Sequence, residues 1–164
     1  MRKTLFLFFL LSISGGIYAK EYTSEQCLAA VAAMEQTRAD QISPQTVSAF
    51  LGTLASHSCQ GNAEYSEWSN ESLFNVMEKS PTIFFMVLRT SSKSTQERVR
   101  QELGQPIHDL INYPKINESI SRIVDKNLRD YALKIFSPYY KRHLTEVNEW
   151  EKQNNMKWSY DTQY

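Results

Sequence analysis

Residues 43–54 read SPQTVSAFLGTL, and this stretch sets the interpretation of the rest of the sequence. Ser43 is a residue type that caps helices, and Pro44 after it suits the first helical position. The apolar residues that follow are spaced by three or four positions: Val47, Phe50, Leu51 and Leu54. This spacing places them on one face, so the stretch predicts an amphipathic α-helix.

A second helix is predicted just before this one. Thr23 and Gln26 have the spacing of a capping box, and apolar positions follow at Cys27, Val31 and Met34. A short polar turn at residues 39–42 would let the two helices run antiparallel. The start of the first helix would then lie beside the end of the second.

The two cysteines of the chain fit this helical hairpin. Cys27 lies near the start of the first helix, and Cys59 lies just past the end of the second. A metal site is the weaker interpretation, because the spacing of the cysteines is not that of a zinc site and only His57 is nearby. A catalytic thiol stays open, although no neighbouring residue activates either sulfur. We predict a Cys27–Cys59 disulfide.

The same signals predict helices further along the chain. Helix starts are expected at Ser80-Pro81, Ser94 with Glu97, Pro106, Pro114 and Ser137-Pro138. Residues 83–88 (IFFMVL) are apolar on every side and are predicted to form the centre of the core. No segment alternates with period two. The sequence therefore predicts an all-α, compact bundle of about seven to nine short helices.

Three of the helix-starting prolines suggest a repeat. Pro44, Pro81 and Pro114 are separated by 37 and 33 residues, a period in the range of two-helix repeats. On this basis the bundle would consist of stacked helix pairs, as in HEAT-like proteins. The side-chain matches around the prolines are weak, so an irregular bundle is the other interpretation.

The start of the chain has the pattern of a secretory signal peptide. Residues 1–19 combine a cationic start, an apolar run, two glycines and a small residue at Ala19. The apolar run is shorter than the roughly 20 residues that a membrane-spanning helix needs, so a retained anchor is the weaker interpretation. We expect a cleaved signal peptide (1–19), a single helical domain (20–152) and an aromatic-containing C-terminal tail (153–164).

Charge excludes two classes of partner. The chain carries 18 Lys+Arg and 18 Asp+Glu, and removal of the signal peptide leaves a slight negative excess. Binding to nucleic acid or to an anionic membrane surface requires clustered Lys and Arg. We therefore expect no nucleic-acid partner, and no membrane insertion after signal cleavage.

The three histidines suggest no catalytic arrangement. His57 is expected to continue the apolar face of the second helix at its C-terminal end. His108 and the aspartate after it point in different directions from a helix, so they form no dyad. His143 with Glu146 and Glu149 is interpreted as a solvated helix face, and a metal site there would need further ligands from another helix.

Motifs for chemistry are absent from the sequence. It contains no G-x-S-x-G elbow, no glycine-rich phosphate loop and no H-E-x-x-H, so no catalytic residue, cofactor or metal ligand is assigned. Asn70 and Asn117 formally match the N-x-S acceptor of N-glycosylation.

The C-terminal tail is rich in side chains typical of interfaces. The residues considered for partner binding are Trp150, Met156, Trp158 and Tyr160. The alternative is that the tail folds back and closes the open end of the bundle.

These features together favour an exported, non-enzymatic, protein-binding domain of the bacterial cell envelope. We expect a periplasmic location, or alternatively a secreted one. The chain resembles exported helical immunity proteins in size, signal peptide, disulfide and helical content, so masking of a toxin or hydrolase is one concrete role. The alternatives are an envelope hydrolase that uses His108 or His143 as its base, and a structural accessory subunit of an envelope complex.

Overall fold

A computed structural model describes residues 21–107 and 111–160, and every regular element in that part of the chain is helical. The described residues form eight α-helices: α1 (Ser24–Gln36), α2 (Pro44–Leu54), α3 (His57–Gln60), α4 (Ala63–Lys79), α5 (Pro81–Thr90), α6 (Lys93–Gly104), α7 (Tyr113–Ser121) and α8 (Lys126–Asn154). A 3-10 helix at Ala39–Gln41 joins α1 to α2. The predicted all-α class and the predicted number of helices are confirmed.

The helices pack as stacked pairs. α1 pairs with α2, α4 with α5, and α7 with α8. Within the stack, α4 packs against both α1 and α7, while α5 packs against both α2 and α8. The two remaining helices, α3 and α6, lie outside the three pairs. α3 packs on the first pair and on α4, whereas α6 packs on α2, α5 and α8. The result is a compact bundle with two layers of three helices.

The proline spacing does not mark equivalent positions in these pairs. Pro44 and Pro81 begin α2 and α5, which are the second helices of their pairs. Pro114 lies in the first turn of α7, which is the first helix of the third pair. The equivalent helix α8 begins at Lys126 and is capped by Asp125, whose carboxylate accepts from the Leu128 amide at 2.8 Å. The three prolines therefore do not mark a repeat, which was one of the two interpretations of the bundle, although the helices do stack in pairs.

Two of the predicted helix starts are confirmed by their hydrogen bonds. Thr23 accepts from the Gln26 amide at 3.2 Å, and the Gln26 side chain accepts from the Thr23 amide at 3.0 Å, which completes the capping box. Ser43 accepts from the Thr46 amide at 3.1 Å, with Pro44 at the first helical position. Both α1 and α2 therefore begin where their sequences predict.

Two other caps differ from the prediction. α6 is capped by Ser92, which accepts from the Thr95 amide at 3.1 Å, so the expected cap at Ser94 is wrong by two residues. Ser80 precedes α5, but its side chain makes no capping hydrogen bond. Its amide instead donates to Val76 at the end of α4, because α4 and α5 meet at this single residue.

The last helix does not begin at Pro138. α8 runs through Ser137-Pro138 as a continuous helix of 29 residues. Proline has no amide N–H to donate to the preceding turn, so α8 lacks one backbone hydrogen bond at this position. Pro138 is exposed, so its ring faces solvent and not the packed core. Phe136 before it is fully buried, and Tyr139 and Tyr140 after it pack against the core. Packing on both sides of Pro138 therefore keeps α8 continuous where the sequence predicts a new helix start.

The connection between α6 and α7 is also not helical where it is described. The expected helix from Pro106 to Ile111 is wrong for residues 106, 107 and 111, which have no regular structure, and residues 108–110 lie outside the described part. α7 ends at Ser121, although the helical spacing of Ile116, Ile120, Ile123 and Val124 in the sequence would extend it further. Ile123 is buried in the turn that follows, whereas Val124 is 94% exposed.

The core and the disulfide agree with the prediction in most respects. Phe84, Phe85 and Leu88 of α5 are completely buried, but Met86 is 38% exposed, so α5 is covered on most sides and not on all. Cys27 and Cys59 are completely buried and form the predicted disulfide, with their Cα atoms 5.6 Å apart. The bond joins α1 to α3 and fixes the first helix pair at its open end.

Candidate functional site

A cleft of about 430 Å³ lies beside the C-terminal half of α8. We call it the C-terminal cleft. It is lined by Gly104, Pro106, Tyr113, Tyr139, Arg142, His143, Glu146, Val147, Trp150 and Trp158. These residues come from the end of α6, the start of α7, one face of α8 and the segment after α8. The volume is within the roughly 300–1,000 Å³ typical of ligand sites.

One wall of the C-terminal cleft follows from the period of α8. Residues three or four positions apart lie on the same face of a helix. The lining residues of α8 have this spacing: Tyr139, Arg142, His143, Glu146, Val147 and Trp150. This face continues beyond the buried part of α8, whose last fully buried residue is Phe136. The helix therefore projects past the core and presents its inner face to the cleft.

The opposite wall is held in place by Asn70 of α4. This side chain is completely buried. Its amide nitrogen donates to Glu102 Oε2 at 2.8 Å, and its oxygen accepts from the Ile107 amide at 3.0 Å. The same nitrogen lies 3.5 Å from the Gln105 carbonyl oxygen. Asn70 thus fixes the path of the chain after α6, where Gly104 and Pro106 line the cleft.

Sequence reasoning missed this role of Asn70. It identified the residue only as a formal glycosylation acceptor, and a completely buried side chain with these partners is not accessible for modification in the folded protein. The only signal in the sequence was that Asn70 is a polar residue with polar neighbours in a predicted helix. Such a pattern is equally typical of an exposed face, so it could not reveal the burial.

The tail turns back along α8. α8 ends at Asn154, two residues into the predicted tail, and Asn155 takes a left-handed conformation with φ of 49°. The Glu151 carboxylate then holds the returning chain, because Oε1 accepts from the Trp158 amide at 2.9 Å and Oε2 pairs with Lys157 Nζ at 3.1 Å. These contacts, the bond from the Trp158 amide above all, lower the pKa of Glu151.

Three of the four predicted partner-binding residues come together. The Trp150 and Trp158 rings meet edge to face with centroids 5.2 Å apart, and the Tyr160 ring lies 6.2 Å from that of Trp158. All three are half-buried. Met156 is 61% exposed and does not line the C-terminal cleft. The tail folds back as the alternative interpretation expects, yet its aromatic side chains border an open cleft.

His143 is not on a solvated face, which corrects the prediction for this residue. Its ring stacks on Tyr113 of α7 with centroids 4.2 Å apart, and its Nε2 lies 2.5 Å from the Tyr160 hydroxyl. Burial lowers the pKa of His143 below its ordinary value of 6.5, so the ring is neutral at pH 7. Glu146 is exposed as predicted. The difference arises because α7 and the tail cover one side of α8.

The charges in the C-terminal cleft are balanced. Arg142 donates from Nη2 to the Gly104 carbonyl oxygen at 2.9 Å, and its Nε lies 3.8 Å from a Glu146 oxygen. Its guanidinium also lies 5.8 Å from the centre of the Tyr139 ring. Since His143 is neutral, Arg142 and Glu146 are the charged lining residues, and they offset each other.

One polar atom at the edge of the cleft is unsatisfied. The indole Nε1 of Trp158 is buried, and no acceptor in residues 21–107 or 111–160 lies within hydrogen-bond distance of it. A buried N–H without an acceptor costs about 1–3 kcal/mol. The docked position of Trp158 is therefore less favourable than its aromatic contacts alone would make it.

His57 does not reach this site. His57 is exposed and begins α3, so the expectation that it extends the face of α2 is wrong. α2 ends at Leu54, and the chain turns before His57. His108 and the aspartate after it lie outside the described residues. Across the described ranges, no group of three His, Cys, Asp or Glu side chains is placed to hold a metal ion.

The predicted signal peptide, Met1–Ala19, also lies outside the described residues. None of the helices between residues 21 and 160 is both long and apolar enough to cross a bilayer. The buried disulfide fits a protein that resides outside the cytoplasm, where oxidised cysteines persist. Comparison of the chain with protein-family models, with curated proteins and with solved structures found no match.

Proposed function

We propose that the protein is an exported, non-enzymatic binding domain of the bacterial cell envelope, located in the periplasm, that recognises another protein through its C-terminal cleft. The observation that carries this proposal is the composition and shape of that cleft. Trp, Tyr and Arg are the side chains most enriched among residues that dominate protein interfaces. Here Trp150, Tyr139 and Arg142 of α8 line a single concavity, which Trp158 of the tail also lines.

The rigidity of the surroundings supports the same proposal. Asn70 fixes one wall through bonds to Glu102 and Ile107, and the other wall is a face of α8. A surface that is ordered before binding loses less conformational entropy when a partner docks. An inhibitor or immunity protein that must mask a toxin or hydrolase tightly would benefit from this arrangement.

The test compares two arginine substitutions on the same helix. Val147→Arg would place a long cation in the C-terminal cleft, whereas Leu144→Arg would place it on an exposed position of α8 that does not line the cleft. Residues 20–164 of each variant and of the wild type would serve as bait in envelope extracts. Thermal unfolding of both variants would first establish that they fold.

The proposal predicts one captured protein that the wild type and Leu144→Arg retain at one-to-one stoichiometry and that Val147→Arg loses. Retention by Val147→Arg with unchanged affinity would contradict it. A complex that stays intact through salt washes and size-exclusion chromatography would instead favour the structural accessory subunit. Such a subunit has a larger and more apolar interface.

A second candidate is favoured by one observation. His143 lines the cleft as a neutral ring and bonds with a hydroxyl, as a general base of a hydrolase would. Its Nε2 is already engaged by Tyr160, and its ring is stacked on Tyr113. Hydrolysis of an envelope substrate that disappears in His143→Gln, with stability retained, would establish this alternative in place of binding.

A further inference from the structure

We propose that the tail occupies a peptide-binding strip of its own protein, and that the partner displaces it with an extended segment carrying two aromatic side chains two positions apart. The tail here means residues 155–160, and the strip means Tyr113, His143, Trp150 and Glu151. This inference rests on the proposed function and adds to it the chemistry of the partner.

The tail contacts the strip as a bound peptide would. Trp158 packs edge to face on Trp150, and Tyr160 bonds with His143, so two side chains two positions apart in the tail reach two separate positions of the strip. Between them, Glu151 accepts from the Trp158 amide at 2.9 Å, which is a main-chain bond that any extended segment can offer. The requirement is therefore for two aromatic rings at positions i and i+2.

The fold does not depend on the tail for its core. The completely buried aromatic and aliphatic residues end at Phe136, whereas Trp158 and Tyr160 are half-buried and the residues between Lys152 and Lys157 are exposed. Displacement of the tail would thus uncover the strip while leaving the packed helix layers intact. A segment that closed the core could not be exchanged in this way.

The tail is also an imperfect ligand. The buried Trp158 Nε1 has no acceptor among the described residues, so the docked tail carries the cost of an unsatisfied donor. A partner segment whose ring lacks this N–H avoids that cost. The covalent tail compensates by its high local concentration, on the order of millimolar for a short flexible connection.

The experiment adds a synthetic tail peptide to the full chain. Its sequence is that of residues 155–160, NMKWSY, and the host is the double variant Trp158→Ser/Tyr160→Ser, whose own tail lacks both aromatic anchors. Binding would be measured by calorimetry, and thermal unfolding would establish that the host is folded. The control peptide has alanine at both aromatic positions.

We expect the double variant to bind NMKWSY, to bind the alanine control at least about tenfold more weakly, and to bind NMKWSY more tightly than the wild-type chain does, because the wild-type tail competes. Absence of binding to a folded double variant would overturn the proposal. Equal binding of the alanine control would overturn it as well. A double variant that fails to fold would also overturn it, because the tail would then be part of the core.

A second peptide tests the imperfect fit. It replaces tryptophan by 3-benzothienylalanine, in which sulfur takes the place of the indole N–H. We expect it to bind roughly fivefold more tightly or better, since the unsatisfied donor is removed. Weaker binding would show that the N–H has an acceptor and would contradict the imperfect fit.

Failure of this inference is distinguishable from failure of the proposed function. The capture test with Val147→Arg does not involve the peptide, so a partner that depends on the cleft could exist even if NMKWSY does not bind.

Discussion

Replacement of Asn70 tests the wall of the C-terminal cleft. In Asn70→Ala, the Glu102 carboxylate loses a donor at 2.8 Å and the Ile107 amide loses its acceptor at 3.0 Å. Glu102 also pairs with Arg98, and its side chain is only 11% exposed, so water replaces the lost donor poorly. The substitution therefore leaves two polar groups short of partners within the packed region between α4 and α6.

The expected loss follows from these two bonds. A hydrogen bond to a charged group contributes about 1.5–3 kcal/mol and a neutral one about 1 kcal/mol, so Asn70→Ala should lower the free energy of unfolding by about 2.5–4 kcal/mol. Asn70→Asp keeps the shape but places a second carboxylate against Glu102. Its loss should exceed that of alanine at pH 7 and shrink at pH 5, where the new group can take up a proton.

Urea denaturation followed by circular dichroism would measure both losses. The matched control is Asn117→Ala, which removes the other N-x-S asparagine, a half-buried residue of α7, and should change stability by less than about 0.5 kcal/mol. If Asn70→Ala behaves like the control, or if Asn70→Asp is as stable as the wild type, Asn70 does not hold this wall and the reasoning is refuted.

Three further predictions concern the disulfide, two tyrosines and a glycine. Replacing Cys27 and Cys59 by serine should cost about 4 kcal/mol, since the bond closes a loop with a sequence separation of 32; urea midpoints measure it, and a loss below 1 kcal/mol would contradict it. Burial raises the pKa of Tyr65 and of Tyr113 to about 12. The unfolded chain releases these protons near pH 10, so it binds fewer protons than the folded chain and stability should fall from pH 10 to pH 12. Absorbance titration of the folded protein should show at least two tyrosines that titrate well above pH 10, and uniform titration near pH 10 would refute this. Gly61→Ala should raise stability by about 0.4–1 kcal/mol in thermal unfolding, because its φ of −77° suits alanine and the added Cβ meets no atom within 4 Å; a loss would count against this geometry.

The sequence predicts the fold where local signals and packing agree. At α2, the Ser43 cap and the apolar spacing from Val47 onward both describe the same helix, and the structure has it. At Pro138 they disagree. The local signal is a helix start, but Phe136 and Tyr140 on its two sides both pack inward, and the helix continues. The packing of the other helices decides between the local signal and the continued helix. The local sequence around Pro138 does not contain that information.

The candidate site is predictable in composition and not in geometry. Trp150, Trp158 and Tyr160 are identified by residue type, because aromatic side chains among polar neighbours are typical of interfaces. The bond between Tyr160 and His143 depends on the reversal of the chain at Asn155, a single residue with a positive φ. Hydrophobic periodicity does not predict such a turn, so the contact between His143 and the tail could not be predicted from the sequence.

The position of the disulfide has a consequence for the order in which the protein folds. Cys27 and Cys59 both precede α4, which begins at Ala63. A chain emerges N-terminus first from the ribosome or from an export channel, so the two thiols can meet while most of the later helices are still inside. The α1–α2 pair, once oxidised, would then offer a folded surface on which the later helices can pack. α4 would dock on it first and α7 on α4, and the C-terminal cleft would be the last part of the molecule to form.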